Sequence, residues 1–132
     1  MIKRILLILP LTLFFFSCVT TSMPFEYTVE GYSLGTDIDK DILEKSIKIA
    51  LMKYNWIPYE EVPGSIKSQF SKSEGLITCD IQVLYNDGGY SINYLGSKNL
   101  DENLKRMTIH KNYNRWIANL NKVIYENYLL AE

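Results

Sequence analysis

The sequence predicts a two-layer α+β domain: an N-terminal helix, a four-stranded antiparallel meander and a C-terminal helix, with both helices on one face of the sheet. Three observations carry that expectation. Apolar residues recur at three- and four-residue steps in one stretch before the middle of the chain and another at its end. Between them the pattern alternates with a period of two. Turn-forming runs at Pro63-Gly64-Ser65, Ser71 to Gly75 and Asn86-Asp87-Gly88-Gly89 divide that alternating stretch into four.

The first helix is expected over 38–54, where Ile38, Ile42, Leu43, Ile47, Ala50, Leu51 and Tyr54 form a single apolar stripe. Asp37, Asp39 and Asp41 precede or open it. Their alternate spacing matches the start of a calcium loop, but Ile42 stands where that loop needs Gly and Lys48 where it needs a bidentate Glu. Helix capping accounts for the same carboxylates, because they accept orphan amide protons and oppose the positive end of the dipole.

Ile57 to Val62 and Ile66 to Phe70 read as paired strands, the second with Ile66, Ser68 and Phe70 on one face. Leu76 to Tyr85 is the clearest strand. Its Ile77, Cys79, Ile81, Val83 and Tyr85 point inward while Thr78, Asp80 and Gln82 point out. Tyr90 to Leu95 completes the meander, with Tyr90, Ile92 and Tyr94 opposed to Ser91 and Asn93. The polar stretch Gly96 to Lys111 follows neither period and reads as a long loop of the kind that often carries function. From Asn112, read as an N-cap, Tyr113, Trp116, Ile117, Leu120, Val123, Ile124 and Tyr128 line one face of the last helix.

Upstream of the domain, Met1 to Arg4 is positively charged, Ile5 to Phe16 is apolar but broken by Pro10, and Ser17-Cys18 follows. A permanent span needs about 20 apolar residues, so this run reads as a secretory leader. Phe15-Phe16-Ser17-Cys18 resembles the lipobox of bacterial lipoproteins, with Phe15 where Leu is usual. That resemblance implies cleavage before Cys18 and acylation of its thiol, the rival being ordinary cleavage among Thr20 to Ser22. Residues 1–17 are then the leader, 18–36 a mobile membrane tether in which Tyr27-Thr28-Val29 can dock as an extended segment, and 37–132 the domain. In a cell with two membranes, Val19 after the cysteine points by the same resemblance to the outer membrane. An acylated Cys18 also leaves Cys79 without a disulfide partner, and the alternation makes Cys79 a small buried apolar residue.

The 132-residue chain carries 14 basic and 15 acidic residues, and the leader takes two of the basic ones. With no concentrated Lys/Arg cluster in the sequence, nucleic acid is not an expected partner. Ten Tyr and two Trp, all downstream of the leader, give the chain an aromatic content suited to both core and interface. The sole histidine, His110, lacks a nucleophile motif and clustered metal ligands, which leaves a capping role at the mouth of the last helix or a place on a binding surface. No cofactor or metal motif is present.

Tyr90-Ser91-Ile92-Asn93-Tyr94, Ser97-Lys98-Asn99-Leu100 and Ile109-His110-Lys111-Asn112-Tyr113-Asn114-Arg115-Trp116 are the most distinctive runs. Together, over roughly Ile47 to Leu129, they resemble a group of small uncharacterised bacterial lipoproteins. Those share Gly/Asn-Trp, Pro-Gly, Tyr-Ser-Ile-x-Tyr, Ser-x-Asn-Leu and Ile-His-x-x-Tyr-Asn-x-Trp. The resemblance implies an anchored location and the helix, sheet, helix layout, and no activity. If the long loop folds back over the fourth strand, Asn99, His110, Asn114 and Arg115 are expected to line a shallow polar groove edged by Tyr90 and Tyr94. The expected role is a noncatalytic envelope module that binds or assembles with a protein partner. Glycan or peptidoglycan recognition through the Tyr/Asn surface is the alternative, and a hydrolase using His110 a remote one.

Overall fold

The computed structural model describes residues 21–132; the leader and Cys18 lie outside the described residues. The elements in chain order are β1 (Ser22–Pro24), β2 (Thr28–Glu30), α1 (Lys40–Lys53), β3 (Trp56–Val62), β4 (Ser65–Lys72), β5 (Ile77–Asn86), β6 (Gly89–Lys98), β7 (Thr108–His110) and α2 (Lys111–Ala131). A five-stranded antiparallel sheet has the order β2-β6-β5-β4-β3, and β1 pairs with β7 in a second, two-stranded sheet.

The expected four-stranded meander is therefore incomplete, and α1 is preceded by two strands. The extra strands come from the stretch read as a mobile tether and from the stretch read as a loop. A meander ending at β6 would leave that strand's outer edge with unpaired amides and carbonyls, and such an edge recruits another strand. Here it recruits the chain's own Thr28–Glu30, which pairs with Asn93, Ile92 and Ser91. β1 does the same for β7, joining Ser22 to His110 and Pro24 to Thr108.

Within the sheet the alternation is as the sequence implies. Cys79, Ile81, Val83 and Tyr85 of β5 and Tyr90, Ile92 and Tyr94 of β6 are buried beneath the helices. The β5–β6 turn forms because Asn86 Oδ1 accepts the Gly88 N–H at 2.7 Å and Gly89 takes a φ of 131°, open only to glycine at low cost.

Asp39 caps α1, its Oδ1 accepting the amides of Asp41 and Ile42 at 3.0 and 3.1 Å. The helix buries Leu43, Ile47, Ala50 and Leu51, each large one contributing about 1.5–3 kcal/mol by leaving water. α2 lies antiparallel beside it. Two polar contacts hold that arrangement: the Asp39 amide donates to the Tyr128 hydroxyl at 3.0 Å, and the Asn127 amide donates to the Ser46 carbonyl at 3.3 Å. At the other end of the helix pair, Trp56, Phe70 and Trp116 stack in series, with ring centroids 5.5 and 4.6 Å apart.

Between β2 and α1 the chain passes close to the sheet at Gly31, whose amide donates to the Tyr90 carbonyl at 2.8 Å. A Cβ added there would lie 2.5 Å from the Tyr90 ring, which is buried and cannot swing away. Gly31→Ala should therefore lower stability by about 1–3 kcal/mol through overpacking, read as a reduced urea midpoint. Gly35→Ala meets no atom within 4 Å but stands at φ 91°, so any loss there comes from backbone strain alone.

Candidate functional site

The residues expected to form an open groove are instead used to hold the N-terminal segment. Tyr90 and Tyr94 belong to the inward face of β6 and are almost wholly buried. The Tyr90 hydroxyl lies 3.0 Å from the Asn121 carbonyl and 2.6 Å from its Oδ1, and the amide of the same Asn121 donates to the Glu30 carbonyl at 3.2 Å. One buried asparagine thus ties α2 to β6 and to the end of β2. The Tyr94 hydroxyl bonds Ser97 at 2.7 Å, and its ring meets Phe25 and Tyr113 edge to face at 5.2 and 5.3 Å. Phe25 closes the triangle on Tyr113 at 5.7 Å. The N-terminal segment therefore supplies a core residue.

His110 rather than Asn112 caps α2, with Nδ1 accepting the Asn112 N–H at 3.1 Å. The correction has a backbone cause. Pairing of β7 with β1 runs to His110, so the extended cap residue lies two positions earlier than composition suggests. Asn114 donates its amide to the Pro24 carbonyl at 2.9 Å, and Arg115 donates to Asn112 Oδ1 at 3.1 Å. Asn99 stands apart at φ 58°, donating to the Leu76 carbonyl at 2.7 Å. Asn114, His110 and Tyr94 converge on the segment 22–27, while Tyr90 acts further along β6, and Asn99 and Arg115 face other surroundings.

The long loop is not structureless. Asn103 and Thr108 exchange backbone hydrogen bonds at 2.9 and 3.1 Å, and the His110 amide donates to the Leu100 carbonyl at 2.8 Å. Its end lies along the N-terminal segment, where Phe25 N–H reaches the Met107 carbonyl at 3.1 Å. An extended peptide does occupy the Asn-lined edge, and that peptide is residues 21–30.

Two clefts remain beside it. One, of about 450 Å³, opens between the segment and α2 and is lined by Phe25, Val29, Tyr32, Tyr113, Ile117 and Asn121 among others. The second, of about 560 Å³, lies over the β5–β6 turn against Gly31, Tyr32, Leu84 and Ser91. Neither Asn121 nor Tyr32 is among the residues expected on the groove. Asn121 occupies the polar side of the helix in periodicity, and only the backbone of Glu30 and the hydroxyl of Tyr90 reveal its use.

Chemically the site is quiet among the described residues. Burial, with Asp80 and Glu102 nearby, pushes the Cys79 thiol far above its ordinary range, so it remains a protonated core group. No cluster of three or more His, Cys, Asp or Glu side chains is placed to hold a metal ion among the described residues. No family model matches the chain, and no curated protein or solved structure does so either.

Burial raises the ionisation of Tyr90 to about 12 and moves those of Tyr94 and Tyr113 higher still. The folded protein therefore holds protons that the unfolded chain releases near pH 10, so this stability is complete below about pH 10 and is lost as pH rises from there through the folded Tyr90 value of about 12. Each such group removes up to about 1.4 kcal/mol per pH unit while only its unfolded form ionises. Equilibrium unfolding should show an alkaline decline beginning near the ordinary tyrosine value. The Tyr113 hydroxyl has no hydrogen-bond partner, so Tyr113→Phe should raise stability at neutral pH by up to about 1 kcal/mol and make the alkaline decline shallower. A loss of stability in that variant would mean the hydroxyl is bonded after all.

Proposed function

We propose that the chain is a lipid-anchored, noncatalytic module of a bacterial cell envelope, held to the membrane through Cys18 and acting by binding or assembling with a protein partner. The observation that carries this reading is the closeness of the anchor position to the folded body. Lys111 N–H donates to the Thr21 carbonyl at 2.8 Å, so Thr21 is tied to the start of α2. Cys18 precedes it by three residues, and an extended chain spans at most about 3.6 Å per residue, which limits the separation to about 11 Å. A domain on so short a join works at the membrane surface instead of ranging away from it.

Other features support the noncatalytic part. His110 spends its Nδ1 lone pair on a helix cap and Cys79 is sealed in the core, so the sole histidine and the one described cysteine serve the fold. No described helix is long and apolar enough to cross a membrane, and in this reading the anchor is the acylated Cys18. Both helices cover one sheet face. On the other, Ile57, Tyr59 and Leu95 remain 65%, 55% and 45% exposed around Gln69 and Asp80, which offers a mixed apolar and polar surface to a partner.

Intact-mass analysis of the product purified from membranes should find the polypeptide starting at Cys18 with added acyl mass, and Cys18→Ser should leave the membrane fraction. A retained leader, or a serine variant that partitions as before, would defeat the anchor. A photo-crosslinking side chain at Tyr59 in intact envelopes should give one reproducible adduct, absent when it is placed at Lys122 on the helix side. Identical patterns from the two positions would remove the partner-binding role.

A further inference from the structure

The charges of the domain are segregated along its strands. One end consists of the last turn of α1, the β4–β5 turn, the end of β6 and the start of α2. There the exposed cations are Lys53, Lys72, Lys98, Lys111 and Arg115, against Glu74, Asp101 and Glu102, so cations still outnumber carboxylates. The opposite end holds the entry to α1 with Asp37, Asp39 and Asp41, and the surrounding Glu30, Asp87 and Glu132, against Lys40. Ion pairing sharpens the contrast. The four ion pairs among the described residues use Lys48, Lys67 and Lys122, so the five cations of the first end keep their charge uncompensated by a bonded carboxylate.

The chain leaves the domain at that same end, because Thr21 is bonded to Lys111. Leu76 in the β4–β5 turn adds an apolar side chain there, 58% exposed, with its carbonyl held by Asn99. We infer that this cationic end is a docking surface for anionic phospholipid headgroups, on which the domain stands with its acidic end directed away from the bilayer. The inference rests on the anchored reading, since it is Cys18, three residues from the Thr21 that is bonded to Lys111, that would bring this end to the surface.

The physical case turns on screening. As a whole the chain is net negative, so an anionic membrane would repel it if its charges were evenly mixed. At physiological salt, interactions fall off over about 8 Å. A ten-residue strand such as β5 extends about 33 Å, so the acidic end lies several screening lengths from a surface that touches the cationic one. Attraction at the near end then outweighs repulsion at the far end, and the anchor and the charges select the same orientation. A protein or a soluble polyanion on these cations would be a different occupant. The membrane is favoured because the emerging chain leads to it.

The two tryptophans, Trp56 and Trp116, both belong to this end, so energy transfer from them to dansyl-labelled headgroups reports its approach to the bilayer. The full chain purified from membranes should be reconstituted in phosphatidylcholine vesicles, alone or mixed with phosphatidylglycerol. Transfer should be higher in the mixed vesicles and fall to the neutral level in high salt. Lys72→Glu, Lys98→Glu and Lys111→Glu combined should abolish the difference, each cation being worth about fivefold in partitioning, while Lys40→Glu at the far end should leave it intact. Should the triple variant melt early, Lys98→Gln with Lys111→Gln carries the same test with a smaller drop. Equal transfer in both vesicle types, or a stably folded triple variant that keeps the difference, would overturn the inference. So would a response to a soluble polyanion with none to phosphatidylglycerol. If mass analysis finds no acyl chain, the anchor fails separately, and co-sedimentation of the unacylated protein decides the docking surface. Binding to mixed but not neutral vesicles supports it, and binding to neither overturns it.

Discussion

Pairing of residues 22–30 along the free edges of β6 and β7 is the constraint around which the rest of the molecule is arranged. It satisfies backbone groups that a four-stranded meander would leave open, and it carries Phe25 into the aromatic cluster with Tyr94 and Tyr113. It also determines where the chain emerges. Without it β6 would be an unprotected edge, the cleft beside α2 would lose one wall, and the approach to Cys18 would be unconstrained.

Polar side chains do most of the fastening. Asn114 holds Pro24, Asn121 holds Glu30 and receives Tyr90, and Tyr128 receives the amide of the α1 cap. Each joins elements far apart in sequence, and where the bond is buried, as between Tyr90 and Asn121, leaving one partner unpaired costs more than the bond itself contributes. The amides and phenols that look like recognition chemistry in one dimension are spent on internal closure. Ser68, buried without a hydrogen-bond partner for its hydroxyl, is an exception that nothing in the structure explains.

With the aromatic and amide residues turned inward, the properties left for function are those of the surface. One sheet face is uncovered, and the ends of the domain differ in charge. On the proposed anchored reading, one end would face the membrane and the remaining faces would be open to a partner, so the charge distribution and the exposed sheet face would have complementary uses. Neither depends on a reactive side chain.

Periodicity alone was sufficient for α1, α2 and the strands β3 to β6, because a stripe at three- and four-residue steps and an alternation of two report which side of an element meets the core. Burial of Cys79, capping near Asp39 and the tight turn at Asn86 followed from the same local chemistry. Residues 22–30 and 108–110 were out of reach, since three-residue strands are too short to show a period and owe their conformation to edges contributed by distant residues. The same limit holds for the candidate groove: alternation puts Tyr90 and Tyr94 on the inward face of β6, but whether that face stays open is a matter of what lies over it. The gathering of five cations at one end is equally invisible in the chain, where they are scattered from Lys53 to Arg115. Charge adds up by distance through space, and those distances exist only once the strands and helices have been laid side by side.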